Sequence, residues 1–206
     1  MIDIIEMLEI LEQKGNRLEK MLFQLKWTPP GHLPSILLDK ISLSFEKGQI
    51  SIQDVDEIFV HFYNKDRLQE MVNTWCEKKF IEPRIKILKE VVTAHIEGRF
   101  ELSIPSILPQ IEGIVADINK HAGRMNFTKS KEYVESMLAR NSRFDRIGKE
   151  FFLSILHDKF EWQDSIPFLS RNAILHGADT NYASEANSLR LILMFDFLQD
   201  SPKVYY

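Results

Sequence analysis

Residues 170–177 read SRNAILHG, and this stretch decides which helical fold we expect for the chain. It carries an arginine, Arg171, and a histidine, His176, at the two ends of a short apolar segment. Residues in an α-helix are rotated by about 100° each, so these two side chains point about 140° apart and converge only if the helix ends at the histidine. Gly177 favours such an end, because glycine adopts the left-handed conformation of a C′ residue without strain.

Arg171 and His176 supply the two groups that RNA cleavage without a metal ion requires, a fixed positive charge and a proton carrier. A guanidinium holds phosphate through its planar, permanently charged fork. An imidazole, with a reference pKa of about 6.5, exchanges protons near neutral pH. Asn172 lies one turn before His176, so we expect its amide to orient the imidazole. The other interpretation is a surface arginine and a histidine that interacts with the negative end of the helix dipole.

This segment resembles the R-x4-6-H signature of the HEPN superfamily, in its RN-x-x-x-H form. The flanking sequences add to the resemblance: SIPSILPQIEGIVAD at residues 103–117 is similar to an upstream helix of such proteins, and SLRLILMFDFL at residues 188–198 is similar to their closing helix. The resemblance spans roughly residues 80–200. It implies an all-α, HEPN-like helical bundle that forms a homodimer through the face that carries the motif.

Many HEPN domains are metal-independent endoribonucleases, and others keep the fold without the activity. The resemblance implies that His176 moves protons, that Arg171 stabilises the transition state, and that RNA is cleaved by its own 2′-hydroxyl, with no metal and no cofactor. It also implies a role in toxin action, phage defence or growth control, with an antitoxin or regulator as a possible partner. Two alternatives stay open: a non-catalytic dimer that binds RNA or a nucleotide, and an adaptor that docks through the amphipathic helix at residues 1–26.

Two further residues are candidates for supporting roles. Glu112 is a carboxylate in an otherwise apolar helix, and the resemblance implies that such a residue faces the motif from an earlier helix; a partly exposed surface acid is the alternative. Tyr182 follows the motif and is either a base-stacking residue or part of the core. His95 is expected to be a structural histidine.

A basic stretch runs through residues 120–146 of this acidic protein. The whole chain carries a net charge of −4, but this stretch has seven bases and three acids, so it carries +4 and the remainder −8. Such asymmetry is typical of a local phosphate-binding surface and equally of a solvated helix face. The candidate RNA-binding residues are Lys120, Arg124, Lys129, Lys131, Arg140, Arg143 and Arg146.

Composition indicates a soluble globular protein, with 44% hydrophobic and 27% charged residues. No apolar run approaches the ~20 residues of a membrane span, and acids stand where a signal peptide would have bases. The single cysteine, Cys76, excludes an intramolecular disulfide, and the histidines lack metal-ligand spacing, so we expect a cytoplasmic protein without a metal site.

Periodicity predicts helices throughout and no strand. We predict an N-terminal helical extension at residues 1–78 and a HEPN-like domain at residues 79–206. Four helix starts and one helix end are predicted from local signals. The starts are a capping box at Ser51 and Asp54, an N-cap at Ser103, an N-cap at Thr128 and a proline start at Pro167, and the end is that of the preceding helix, at Phe160.

Overall fold

The computed structural model describes residues 3–157 and 165–201, and every regular element in those ranges is helical. The chain is therefore all-α, as its periodicity predicts. The α-helices are α1 (Ile4–Leu25), α2 (Ser35–Glu46), α3 (Ile52–Phe62), α4 (Lys65–Cys76), α5 (Ile85–Ile96), α6 (Phe100–Ile118), α7 (Phe127–Met137), α8 (Arg143–His157), α9 (Arg171–Leu175) and α10 (Glu185–Gln199), with a 3₁₀ turn at Lys79–Arg84.

Helix α10 is the centre of the bundle. Its residues 188–196 are all buried, because α3, α5, α6 and α8 surround it. A helix that is apolar on all sides is stable only inside a core. Helix α6 packs along α10 and also contacts the short helix α9, so the central pair of helices sets the position of the motif.

Three polar side chains join α5, α6 and α10 inside this core. His95 Nδ1 and Ser188 Oγ share a hydrogen bond of 2.8 Å, and Ser188 Oγ lies 2.8 Å from Ser103 Oγ. All three residues are buried. Burial lowers the pKa of His95 to about 4, because the protein interior disfavours the charged imidazolium. His95 is thus the structural histidine that the sequence predicts.

The low pKa of His95 makes stability depend on pH. The folded state holds His95 neutral while the unfolded chain protonates it near pH 6.5, so stability is complete above that pH and is lost as the pH falls towards 4. We expect a loss of about 2 kcal/mol between about pH 7.5 and pH 5 from this group. Urea unfolding of the wild type and of His95→Asn at both pH values measures it; equal pH dependence in the two proteins would refute the assignment.

Local signals place some helix starts correctly and others wrongly. Ser51 and Asp54 form the expected capping box of α3. Ser103 is not an N-cap, since α6 begins at Phe100 and the Ser103 hydroxyl bonds to Ser188 instead. Asn126, rather than Thr128, caps α7 by accepting a hydrogen bond from the Lys129 amide.

The helix start predicted at Pro167 and the helix end predicted at Phe160 have different outcomes. Pro167 does not open α9, because residues 168–169 form a turn and the helix begins after the N-cap residue Ser170. The helix end predicted at Phe160 lies outside the described residues, which follow α8 as far as His157.

The regions on either side of residue 78 share one hydrophobic core. Trp75 of α4 is fully buried and donates a hydrogen bond from Nε1 to Asp196 Oδ1 of α10, at 2.7 Å. Arg190 of α10 stacks over the ring of Trp27 at 4.2 Å and pairs with Asp56 of α3 at 2.7 Å. Residues on the N-terminal side of residue 78 therefore pack directly against the central helix.

Candidate functional site

Helix α9 presents the motif and is closed at both ends by local hydrogen bonds. The Ser170 hydroxyl accepts a hydrogen bond from the Ala173 amide at the N-terminus. At the C-terminus, the amides of Gly177 and Ala178 donate to the carbonyls of Ile174 and Ala173. These two bonds are the Schellman pair, and they need a left-handed C′ residue. Gly177 supplies it with φ +79°, so the helix ends where the sequence predicts, with Leu175 as its last residue and His176 as its C-cap.

Glu112 and Asn172 hold the guanidinium of Arg171. Arg171 Nη2 lies 3.0 Å from Glu112 Oε2 on α6, and Arg171 Nη1 donates to Asn172 Oδ1 at 3.0 Å. The side chains of Arg171 and Glu112 are 30% and 26% exposed, so this ion pair lies at the protein surface but is partly screened from water. An arginine held at two of its nitrogens has a defined direction, which suits it to bind a phosphate oxygen.

His176 is exposed at the C-terminus of α9, and its backbone amide donates to the Asn172 carbonyl. The side chain of Asn172 has a contact that the sequence did not predict, since its amide oxygen accepts a hydrogen bond from Arg171 Nη1. The structure thus gives Asn172 a contact with the arginine of the motif.

Tyr182 has a structural contact that the sequence analysis did not predict. Pro105 lies inside α6 and has no amide hydrogen, so the carbonyl of Glu101 loses its helical partner. The Tyr182 hydroxyl donates to that carbonyl at 3.2 Å. Burial raises the pKa of Tyr182 above its usual value, so the hydroxyl stays a donor. Tyr182 therefore ties the loop after the motif to α6, the helix that carries Glu112.

The seven candidate RNA-binding bases fall into two groups. Arg143 and Arg146 pair with carboxylates of α1: Arg143 Nη2 lies 2.6 Å from Glu12, and Arg146 holds Glu19 through two nitrogens, at 2.6 and 2.7 Å. Their charge is therefore largely neutralised in place. The other five are exposed, namely Lys120, Arg124, Lys129, Lys131 and Arg140.

Sequence reasoning missed a second pairing of charged groups, between His32 and Asp196. His32 Nε2 lies 2.9 Å from Asp196 Oδ2, although the residues are 164 positions apart. This hydrogen bond raises the pKa of His32, in the opposite direction to the shift of His95. The pair lies beside a cavity of about 310 Å³ lined by residues that include His32, Tyr63 and Arg67. The available signal was a lone aspartate in the apolar stretch LILMFDFL.

Comparisons with known proteins found no match that bears on this site. No family model, curated protein or solved structure matches the chain. Within residues 3–157 and 165–201, no group of three or more histidine, cysteine, aspartate or glutamate side chains is placed to hold a metal ion. No helix in that part of the chain has both the length and the apolar character needed to cross a membrane.

Replacing Gly177 with alanine is expected to destabilise the end of α9. The left-handed conformation costs an L-residue about 1–2 kcal/mol, which lowers the free energy of unfolding, although the site has space for a methyl group. The matched control is Gly31→Ala, where no atom lies within 4 Å and no positive φ is needed. Urea unfolding should show a loss for Gly177→Ala and little change for Gly31→Ala; equal effects would contradict the assigned Schellman end.

Proposed function

We propose that the protein is a metal-independent endoribonuclease of the HEPN type. The observation that carries the proposal is the arrangement at α9: Arg171 is held by Glu112 and Asn172, and the helix ends at Gly177 so that His176 is exposed at its terminus. A fixed cation and a proton carrier at the two ends of one six-residue segment are the two groups that RNA transesterification needs from an enzyme.

The chemistry follows from the substrate. A base removes the proton of the 2′-hydroxyl, the 2′ oxygen forms a bond to phosphorus, and the bond from phosphorus to the 5′ oxygen breaks. An acid then protonates the leaving 5′ oxygen. The products are a 2′,3′-cyclic phosphate and a 5′-hydroxyl. His176 exchanges the protons, and Arg171 stabilises the negative charge that develops on the phosphoryl oxygens.

Glu112 acts as a positioning residue in this proposal. Its carboxylate lies 3.0 Å from Arg171 Nη2, and this ion pair fixes the direction of the guanidinium. The Tyr182 hydroxyl bonds the loop after the motif to α6. This contact helps to keep α6, which carries Glu112, in place beside α9, which carries Arg171. The resemblance alone had suggested an acid at this place, and the 3.0 Å ion pair now supports it.

The dimer belongs to the proposal as well. Leu175 lies within the motif, and Ile166 and Phe168 precede it; all three side chains are exposed by 37–42%. Apolar side chains that flank a polar centre favour burial against another protein surface. In a two-fold dimer through this face, the histidines of two protomers share one site, so that one acts as base and the other as acid. The five exposed bases at residues 120–140 provide phosphate contacts for the RNA.

The test is cleavage of total tRNA and of structured RNA loops by the purified protein in EDTA. We expect cuts whose ends are a cyclic phosphate and a 5′-hydroxyl by mass spectrometry, and their loss in Arg171→Ala. Intact RNA with every substrate would contradict the proposal. Tight RNA binding without any cleavage would instead favour the non-catalytic dimer, in which Arg171 and His176 serve as ligands.

A further inference from the structure

Arg190 of α10 is a buried cation that contacts the N-terminal helices. Its side chain is only 5% exposed. Arg190 Nη2 donates to Asp56 Oδ1 of α3 at 2.7 Å and to the Leu25 carbonyl at the end of α1 at 3.3 Å. The guanidinium carbon also lies 4.2 Å from the ring centroid of Trp27. Arg190 is thus held in place by residues from the N-terminal part of the chain.

Asp56 gives this contact a defined geometry. Its Oδ1 atom accepts a hydrogen bond from Trp27 Nε1 at 2.8 Å as well as the one from Arg190. A buried charge is costly unless it is paired and hydrogen-bonded, and a planar guanidinium donates to its acceptors in fixed directions. The Arg190 side chain therefore has one preferred arrangement, from which it can hold other segments of the chain.

One of these segments is the turn before α9. The guanidinium carbon of Arg190 lies 5.6 Å from the ring centroid of Phe168, and Lys26 Nζ lies 5.2 Å from the same centroid. A cation within about 6 Å of an aromatic ring is attracted by the electrons of its face. Leu169, between Phe168 and the N-cap Ser170, has a positive φ of 52°. Such a φ costs a leucine about 1–2 kcal/mol, so the turn depends on tertiary contacts to keep its shape.

The other segment is the loop after α9, which Arg190 reaches through Asn187. Arg190 Nη1 donates to Asn187 Oδ1 at 3.2 Å, and Asn187 Nδ2 donates to the Tyr182 carbonyl at 2.9 Å. The Tyr182 hydroxyl bonds in turn to α6. One guanidinium therefore acts on the chain on both sides of α9: directly on the turn before the helix, and through one side chain on the loop after it.

We propose that Arg190 is a positioning residue for the ribonuclease site, through which helices α1 and α3 hold α9 in place beside α6. The inference rests on the proposed function, because it gives Arg190 a part in keeping Arg171 next to Glu112. Arg190 is buried, so it acts through Phe168 and Asn187 rather than on the RNA.

Two variants of the full chain test the proposal. Arg190→Lys keeps the charge but has a single nitrogen, which cannot replace the two that reach Asp56 and Asn187. Asn187→Asp keeps an acceptor for Arg190 and removes the donor to the Tyr182 carbonyl. An aspartate is favourable in the first turn of a helix, so α10 should keep its stability in this second variant.

The rate constant of single-turnover RNA cleavage should fall by about 10–100-fold in Arg190→Lys, because a misplacement of about 1 Å in a site is enough for such a loss. It should fall less in Asn187→Asp, in which Phe168 keeps its contact with Arg190. The affinity for RNA, measured by fluorescence anisotropy, should change little in either variant, because the exposed bases at residues 120–140 are unaltered.

Val72→Ala is the control for a general loss of stability. Val72 is buried on α4 and makes none of the contacts of Arg190, and the variant removes two methyl groups from the core. It should cleave RNA like the wild type. Hydrogen exchange at residues 170–178 should be faster in Arg190→Lys than in Val72→Ala, since only the first variant loosens both flanks of α9.

Wild-type cleavage by Arg190→Lys, or exchange at residues 170–178 no faster than in Val72→Ala, overturns the proposal. If urea unfolding shows that Arg190→Lys is not folded, Asn187→Asp decides, and wild-type cleavage and exchange in that variant overturn it. A wild type that cleaves no RNA contradicts the proposed function, and hydrogen exchange by itself then decides whether Arg190 holds α9.

Discussion

Replacing His176 with alanine is expected to lower kcat for RNA cleavage by about 10²–10⁴-fold, the usual contribution of a general acid or base. The proposal gives this side chain the proton transfers, and no other exposed histidine lies on α9. Binding of RNA depends on Arg171 and the exposed bases, so the affinity for RNA should change little. Single-turnover cleavage and fluorescence anisotropy of the same labelled RNA measure the two quantities separately.

The matched control for His176→Ala is His61→Ala, because His61 is also exposed and also lies in the last turn of a helix. It should cleave RNA like the wild type. A loss of RNA affinity in proportion to the loss of cleavage would identify His176 as a ligand rather than a catalyst. Unchanged affinity and unchanged cleavage in His176→Ala would show that His176 has no part in the reaction, whereas a wild type that neither binds nor cleaves RNA would favour the adaptor alternative.

Replacing Trp75 with alanine is expected to destabilise the whole protein by about 3–5 kcal/mol, the cost of removing a large aromatic side chain from a core. Trp75 is fully buried, and its ring contacts that of Phe195 edge-on with 5.1 Å between centroids. Trp75 lies before residue 78, but its hydrogen bond to Asp196 and its ring contact with Phe195 are both with α10. Urea unfolding by circular dichroism should therefore show one transition that shifts as a unit.

Two further variants show whether the loss of stability in Trp75→Ala comes from its buried contacts with α10. Trp75→Phe keeps most of the volume but removes the donor to the buried Asp196 carboxylate, and we expect it to cost about 1–3 kcal/mol. Ile87→Ala, at a position 43% exposed on α5, should cost far less. Two separate transitions, of which only one moves in Trp75→Ala, would show instead that residues 1–78 form an independently folding unit.

Local sequence signals predicted the elements of this fold well where the energy of a feature is itself local. The helical spacing of apolar residues, the capping box at Ser51 and the helix end at Gly177 all depend on groups within a few positions of one another. The same reasoning failed at Ser103 and Thr128, which have the chemistry of N-caps but lie inside helices. For Ser103 a tertiary hydrogen bond to Ser188 uses the hydroxyl that the local rule assigns to a cap.

The candidate site shows the same division. Arg171, Asn172 and His176 lie within six consecutive residues, so the motif could be found without a structure. The resemblance to HEPN proteins suggested an acid from an earlier helix, but the contact of Glu112 with Arg171 depends on how α6 packs against α9. No spacing rule indicates that Arg143 and Arg146 are paired with α1, which removes them from the exposed basic surface.

The sequence by itself determined the all-α class, most helix positions and the residues of the motif, because periodicity and capping act over one or two helical turns. Only the tertiary structure decided which charges are paired. The His32–Asp196 pair joins residues 164 positions apart, and the carboxylates of Glu12 and Glu19 reach Arg143 and Arg146 from the other end of the chain. Ion pairing depends on distance in space, and that distance is set by the packing of the whole bundle around α10.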